Sequence, residues 1–260
     1  MPMTSFKINQ VALQLYTLRD YCKTVAELEQ TAAKVRKIGY QVVQFSGSPV
    51  PHAEAKKVFA DAGLIVCATH EPAKLILEKP EEICERLNQI GTKHTAYPHP
   101  AGLDLSKESD VRNLASQLDA AGAVLARNGY TLSYHNHAHE FMRFGASTVL
   151  DYIYQATKPA HLKAELDTYW VQFGGGDPTV WLTALRGRAP LLHLKDYVFT
   201  PEGKPAFGEI GRGTLDWRRI LAAAENAGTE WLIVEQDTCP GDPFDSIKIS
   251  YDYLQALLNE

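Results

Sequence analysis

The sequence predicts a single α/β domain over residues 1–260, a (β/α)8 barrel of the TIM type. Three observations carry this reading. Short apolar segments with β-branched residues alternate with amphipathic segments along the whole chain. The alternation counts to eight, the number of strand–helix units that closes a barrel. No linker, low-complexity tract or composition break divides the chain, and the first strand–helix turn lacks the GxGxxG that would favour an open doubly wound sheet.

In chain order the strands are VALQL (Val11 to Leu15), QVVQF (Gln41 to Phe45), LIVCA (Leu64 to Ala68), KHTAY (Lys93 to Tyr97), TLSYH (Thr131 to His135), LKAEL (Leu162 to Leu166), PLLHL (Pro190 to Leu194) and WLIVE (Trp231 to Glu235). KHTAY and LKAEL are weak on propensity and enter by position. Helical periodicity is clearest in TVAELEQTAAKVRKIG, where Val25, Leu28, Ala32, Val35 and Ile38 share one face and Gly39 stops the helix. A second helix is expected from a cap at Ser106 to Gly129. Others are expected at His52 to Ala62, Pro80 to Ile90, Ser147 to Thr157, Pro178 to Arg186, Trp217 to Ala227 and Pro243 to Leu258. Asp177-Pro178 and Asp242-Pro243 each read as an N-cap followed by proline at the first helical position. Tyr197 to Asp216 is the longest connection, and a loop of that length reads as a lid or a subunit contact.

Composition excludes several classes of function. A net charge of −5 offers no overall basic surface, so nucleic acid is not an expected partner. No run approaches the roughly 18 apolar residues of a membrane span, and the N-terminus lacks the pattern of a secretory signal. Cys22, Cys67, Cys84 and Cys239 are scattered without a CxxC pair, which points to a reducing cytoplasm rather than a disulfide framework or zinc knuckle.

In a barrel, side chains at the C-terminal strand ends converge on one mouth. Strand five ends at His135-Asn136-His137 with Glu140 just beyond, strand six at Asp167, strand seven at His193 and strand eight at Glu235. Carboxylates and imidazoles brought together in this way suit a divalent cation, and a carboxylate-rich set leans toward Mn²⁺ or Mg²⁺. Lys195 and Asp196 form either a structural ion pair or, in the case of Lys195, a cation aimed into the mouth. Gln14, Tyr16, Gln44, Ser46, His70 and Glu71 stand at the earlier strand ends as candidate substrate contacts. His52, His94, His99 and His161 fall on helices or loops and receive no role.

The segments QLYTLRD, YHNHAHEF, ELDTYWV, HLKD, GEIGRGTLDW and VEQD, taken together from Val11 to Asp237, resemble the sugar phosphate isomerase/epimerase group of the xylose isomerase-like barrel superfamily. That superfamily also includes ketose 3-epimerases, hydroxypyruvate isomerases, inosose dehydratases and endonuclease IV. The resemblance implies one divalent ion, Mn²⁺ before Mg²⁺, Co²⁺ or Zn²⁺, held by one residue from each of the last four strands. Asp167, His193 and Glu235 match three of those ligands. Arg212 resembles an arginine that contacts substrate oxygens, and Lys195 stands where relatives carry a polar residue. The chain departs from the pattern twice. His135 replaces a strand-five glutamate, and Trp170 replaces a histidine three residues after the strand-six aspartate. Either His135 takes the fourth ligand position or Glu140 reaches back from the loop; Glu140 is favoured because it keeps the charge balance around the ion.

The expected activity is isomerisation or epimerisation of a sugar or sugar derivative through a metal-stabilised enediolate. Glu235 is the expected base and Glu140 or His135 its partner. His137, His70, Lys195, Arg212 and Trp170 are expected to contact substrate, Trp170 as an apolar wall. The nearest rival is a lyase or dehydratase acting on a keto-inositol or a 3-keto-glycoside, and a sugar-binding barrel without catalysis is a more distant one. The expected partner is a small-molecule sugar, and a homodimer fits the resemblance.

Overall fold

Eight parallel strands, Val11–Gln14 (β1), Val42–Phe45 (β2), Ile65–His70 (β3), His94–Tyr97 (β4), Thr131–His135 (β5), Leu162–Asp167 (β6), Leu191–Leu194 (β7) and Trp231–Val234 (β8), close into a barrel. Closure is direct: β1 pairs with β2 on one side and with β8 on the other. The structure is a computed structural model that describes residues 4–100 and 102–260. All eight strands lie on the segments expected for them, including the two weak ones. KHTAY and LKAEL are held by neighbours on both sides rather than by their own propensity.

The pleat explains how one barrel has both a dry base and a charged mouth. Successive side chains alternate faces, so residues two apart share one face. Ala12, Val42, Ala68, Leu191 and Ile233 form an apolar cluster separate from the main core. Two residues further along each strand stand Gln14, Gln44, His70, His193 and Glu235. Each of these five strands thus changes from apolar to polar in one inward step, and this sets the depth of the site. The larger core lies between strands and helices, with Leu28 and Val35 of the first long helix, Val25–Ile38, among its fully buried members.

Most helix ends follow the expected chemistry. Thr24 accepts from Glu27 N while Glu27 reaches back to Thr24 N, which caps Val25–Ile38 from both directions. Asp177 accepts from Thr179 N at 2.8 Å and Asp242 from Phe244 N at 2.9 Å, as their sequence contexts predict. Ser106 does not cap the helix after it. Its hydroxyl donates instead to Asp104 at 2.6 Å, and the helix, Glu108–Arg127, starts after Lys107 with no side-chain cap. Among the described residues no helix is long and apolar enough to cross a membrane, and all four cysteines are free.

The long connection after β7 is ordered by one carboxylate. It carries an antiparallel ribbon, Asp196–Phe199 against Pro205–Gly208. Asp196 is buried and accepts from Tyr197 N, Gly211 N, Gly213 N and Trp217 Nε1 at 2.8–3.1 Å. Gly213 sits so close that a Cβ there would lie 2.1 Å from the Asp196 carboxylate. Asp196 is therefore no partner for Lys195, whose ammonium turns into the barrel.

Two outcomes follow. Gly122, whose missing Cβ would stand 2.0 Å from the carbonyl oxygen of His161, lets Glu108–Arg127 pack against the turn before β6. Gly122→Ala therefore destabilises by about 1–3 kcal/mol in urea unfolding despite alanine's better helix propensity. Asp196→Ala accelerates amide exchange throughout residues 197–217 while leaving Glu108–Arg127 protected, as read by hydrogen–deuterium exchange.

Candidate active site

The floor of the mouth is a packed set of ionisable groups. His135 ends β5, Asp167 ends β6, His193 lies within β7 and Glu235 follows β8, all nearly or fully buried. One ligand atom from each lies within 4.8 Å of the others. His193 Nδ1 is 3.0 Å from Glu235 and 3.9 Å from Asp167, and His135 Nε2 is 4.0 Å from Asp167.

Lys195 supplies the positive charge among these carboxylates. Its side chain is 1% exposed, and its Nζ stands 2.8 Å from Glu235, 3.1 Å from Asp237 and 3.2 Å from Asp167. Burial opposes a charged lysine, but Asp167, Glu235 and Asp237 hold its pKa above the usual range. The two principal carboxylates respond differently to the same neighbourhood. Burial works against ionised Glu235 too, yet Lys195 and His193 both donate to it and keep its pKa well below the usual carboxylate value. Asp167 receives a hydrogen bond from Trp170 N to one oxygen and none to the other, so burial dominates and pushes it up to about 6.

A second acidic layer lies immediately beneath. Glu165, two residues before Asp167 on the same inward face, is fully buried and accepts from Gln44 Nε2 at 2.6 Å. It also pairs with His70 through a short contact and with His193 Nε2 at 3.1 Å. Both ring nitrogens of His193 face acceptors. Against the cost of burial, Glu165 and Glu235 hold the ring protonated, raising its pKa to about 10. His135 goes the other way: burial and the charge on His193 push it well below the usual histidine value, leaving a neutral ring.

The expected residues fall into distinct places. Glu140 is fully buried on a short turn, His139–Phe141, and both its oxygens are engaged: one accepts from Tyr134 Oη at 2.9 Å, the other from His137 N at 2.8 Å. It groups with His137 and His139, and His135 takes the fourth position beside Asp167, His193 and Glu235. Arg212 is exposed and does not line the cavity. Trp170 packs against His137 and Phe207, with the Lys195 ammonium over its ring. Gln14 and Gln44 lie sealed below the mouth, whereas Tyr16, Ser46, His70 and Glu71 line it. His52 and His99, given no role from the sequence, line it as well. Glu165 was missed too, although its spacing from Asp167 along a strand was a readable signal.

Above this floor opens a cavity of about 750 Å³, faced by His70, His135, His137, Lys195, Glu235 and Asp237 and walled on the far side by the ends of β2 and β3. That is ample for a small polar molecule. The donor set fits a divalent cation on its own chemistry. It combines carboxylate and imidazole donors, and the buried Asp167 Oδ2 and His135 Nδ1 accept or donate no hydrogen bond.

Comparison with known proteins agrees with this architecture. The profile of xylose isomerase-like TIM barrels matches residues 32–257. The chain belongs to that family. It is 26% identical over 167 residues to inosose dehydratase from Clostridium tetani, an alignment covering 57% of this chain and 55% of the dehydratase, so it spans little more than half the length of that relative. A sugar phosphate isomerase/epimerase from Parabacteroides distasonis superposes with a TM-score of 0.81 at 21% identity, over 97% of this chain and 95% of the other. An L-ribulose 3-epimerase superposes at 0.73 with 17% identity, over 96% and 94%. At these identities the superpositions establish the shared barrel fold.

Lys195 is the group on which the floor's charge balance turns. Lys195→Met leaves two buried carboxylates without their ammonium and lowers stability by about 3–5 kcal/mol in metal-free buffer. Adding Mn²⁺ then raises the melting temperature of this variant more than that of the parent chain, as followed by calorimetry. Glu140→Gln replaces one acceptor oxygen by an amide facing His137 N or Tyr134 Oη and costs about 1–3 kcal/mol in chemical unfolding.

Proposed function

We propose that this member of the family is a divalent-metal-dependent sugar isomerase or epimerase, working by removal of a proton next to a carbonyl. The observation that supports it is the convergence of His135, Asp167, His193 and Glu235 at the floor of a polar cavity. Those four residues would hold the ion, Mn²⁺ before Mg²⁺, Co²⁺ or Zn²⁺, His193 giving up a ring proton to do so, with Glu140 supporting the loop beside them. When bound, the ion polarises a carbonyl and makes the neighbouring C–H more acidic.

The remaining work falls to the chain's own groups. Glu235 is ionised and faces the cavity, so its free oxygen is the base that takes the proton from carbon. His135, a neutral ring, keeps one ring-nitrogen lone pair to offer the ion. Lys195 and His137 bind substrate oxygens; the Trp170 ring, expected as a wall, backs His137 from outside the cavity lining. Return of the proton to the adjacent carbon gives isomerisation; return to the opposite face gives epimerisation. Arg212, exposed in the loop anchored by Asp196, would meet substrate only if that loop folds inward. The expected partner is a free small sugar, and a homodimer remains the expected assembly.

The match to inosose dehydratase supports a second reading in which the same proton abstraction is followed by loss of water. Both readings share their first half and differ in whether a group leaves.

Metal analysis and hydrogen exchange test the proposal together. After loading with Mn²⁺ and gel filtration, the parent chain retains a stoichiometric ion, Asp167→Ala and His135→Ala lose it, and Glu140→Ala keeps it. In deuterated water a hydroxy-ketone sugar panel gains deuterium next to the carbonyl, and Glu235→Gln slows this by about 10²–10⁴-fold. Release of water from a keto-inositol would select the dehydratase. A chain that binds no ion under any loading would exclude the metal-dependent reading.

A further inference from the structure

The wall of the cavity opposite the ionisable floor carries a guanidinium that the proposed chemistry leaves unused. Arg86 comes from the helix Pro80–Ile90, which follows β3, and its side chain lines the cavity, 32% exposed. It is fixed from behind. Its Nε donates to Glu71 Oε2 at 2.6 Å, and Glu71, 1% exposed, is held on its other oxygen by His52 Nε2 at 2.6 Å. One carboxylate thus has both oxygens occupied, and the arginine that it orients spends only one of its nitrogens. Among the described residues no group accepts from either terminal nitrogen of Arg86.

A buried carboxylate needs a counter-charge, and Arg86 supplies it while His52 occupies the other oxygen. Neutralisation alone does not call for a guanidinium edge left open in a cavity. An arginine clamped at Nε presents its two terminal N–H groups as a preorganised fork, the arrangement that recognises carboxylate or phosphate oxygens in two parallel bonds. Ser46 and Ser48, on the loop after β2, line the same cavity, and so do the apolar Phe45 and Pro72. Arg19, the other arginine of this cavity, is committed to backbone carbonyls of Tyr16 and Asp237 and has less to offer. On the floor the ammonium of Lys195 is already engaged by three carboxylates, so the open guanidinium of Arg86 is the better partner for the anionic end of a substrate.

We propose that Arg86, positioned by Glu71 and His52, forms a subsite for an anionic substituent, and that the substrate is a hydroxy-ketone sugar bearing a phosphate or carboxylate at the end remote from its carbonyl. This rests on the cavity being the sugar site. The reacting end faces Glu235, His135 and Lys195, and the charged end faces Arg86. The cavity of about 750 Å³ accommodates both.

Calorimetric titration of the full chain with D-fructose 6-phosphate, D-fructuronate and D-fructose, without turnover, tests this directly. At low salt at least one anionic probe binds the parent chain at least about tenfold more tightly than D-fructose, and the preference weakens as salt rises. Which anion is preferred identifies phosphate or carboxylate as the recognised group. In Arg86→Gln the preference collapses. Arg86→Lys keeps a counter-charge for Glu71 but loses the fork; it folds, and its preference falls by at least about threefold. Equal binding of all three probes, no binding of any, or a preference intact in Arg86→Lys overturns the proposal. Deuterium exchange into neutral sugars without an anion preference would sink this subsite and spare the proposed chemistry; an Arg86-dependent preference without exchange would do the reverse.

Discussion

Three carboxylates converge on the barrel mouth, and the ammonium of Lys195 is what lets them stand together. Asp167, Glu235 and Asp237 each lie within 3.2 Å of it. Bringing like charges together away from water is costly unless an opposite charge is shared among them. The lysine reaches this point because it follows β7, whose inward residue is His193, and because the backbone of Lys195 is tied to β6 by Thr168, whose hydroxyl accepts from Lys195 N at 3.0 Å. The site's charge is therefore balanced from within before any ligand arrives. A cation entering among the carboxylates meets a tethered competitor, and the affinity of the site is a difference between two attractions.

The same floor separates roles among chemically similar groups. Two histidines on the strands either side of β6 differ in state because their neighbours differ. His193 lies between Glu165 and Glu235 and stays charged, whereas His135 faces that charge across a ring-to-ring distance of 4.5 Å and is left neutral. Glu235 and Asp167 diverge in the same way, through the number of donors each receives. Burial alone would neutralise all of these groups; it is the pairing of Glu235 with Lys195 and His193 that keeps one carboxylate ionised while one imidazole stays neutral on the same floor.

Much of this was legible in the sequence, and the parts that were not have physical reasons. Strand count and strand positions followed from the alternation along the chain, and Asp167, His193 and Glu235 from their place at strand ends together with the family resemblance. Glu140 could not be placed that way. It lies on a turn beyond the strand, where direction is set by local hydrogen bonds, and the Tyr134 hydroxyl and His137 amide turned its carboxylate aside from the floor. His52 and Arg86 were invisible for a related reason: they reach the cavity from helices, and only the barrel's curvature brings those helices over its rim. Ser106 shows the limit at short range, where a nearby aspartate outcompetes the helix end for its hydroxyl.

The anchoring of residues 197–217 by Asp196 has a bearing on how such a protein changes over generations. The carboxylate grips this segment mostly through main-chain N–H groups, with Trp217 as the one side-chain donor. A main-chain grip is indifferent to most of the side chains it carries. Between the fixed points, provided Gly213 keeps its close approach, the residues are free to drift while the path of the chain holds. Lys195, next door, is meanwhile held by its own side chain on three carboxylates. One strand end thus joins a floor whose charges are fixed in place to a rim whose side chains carry little of the fold.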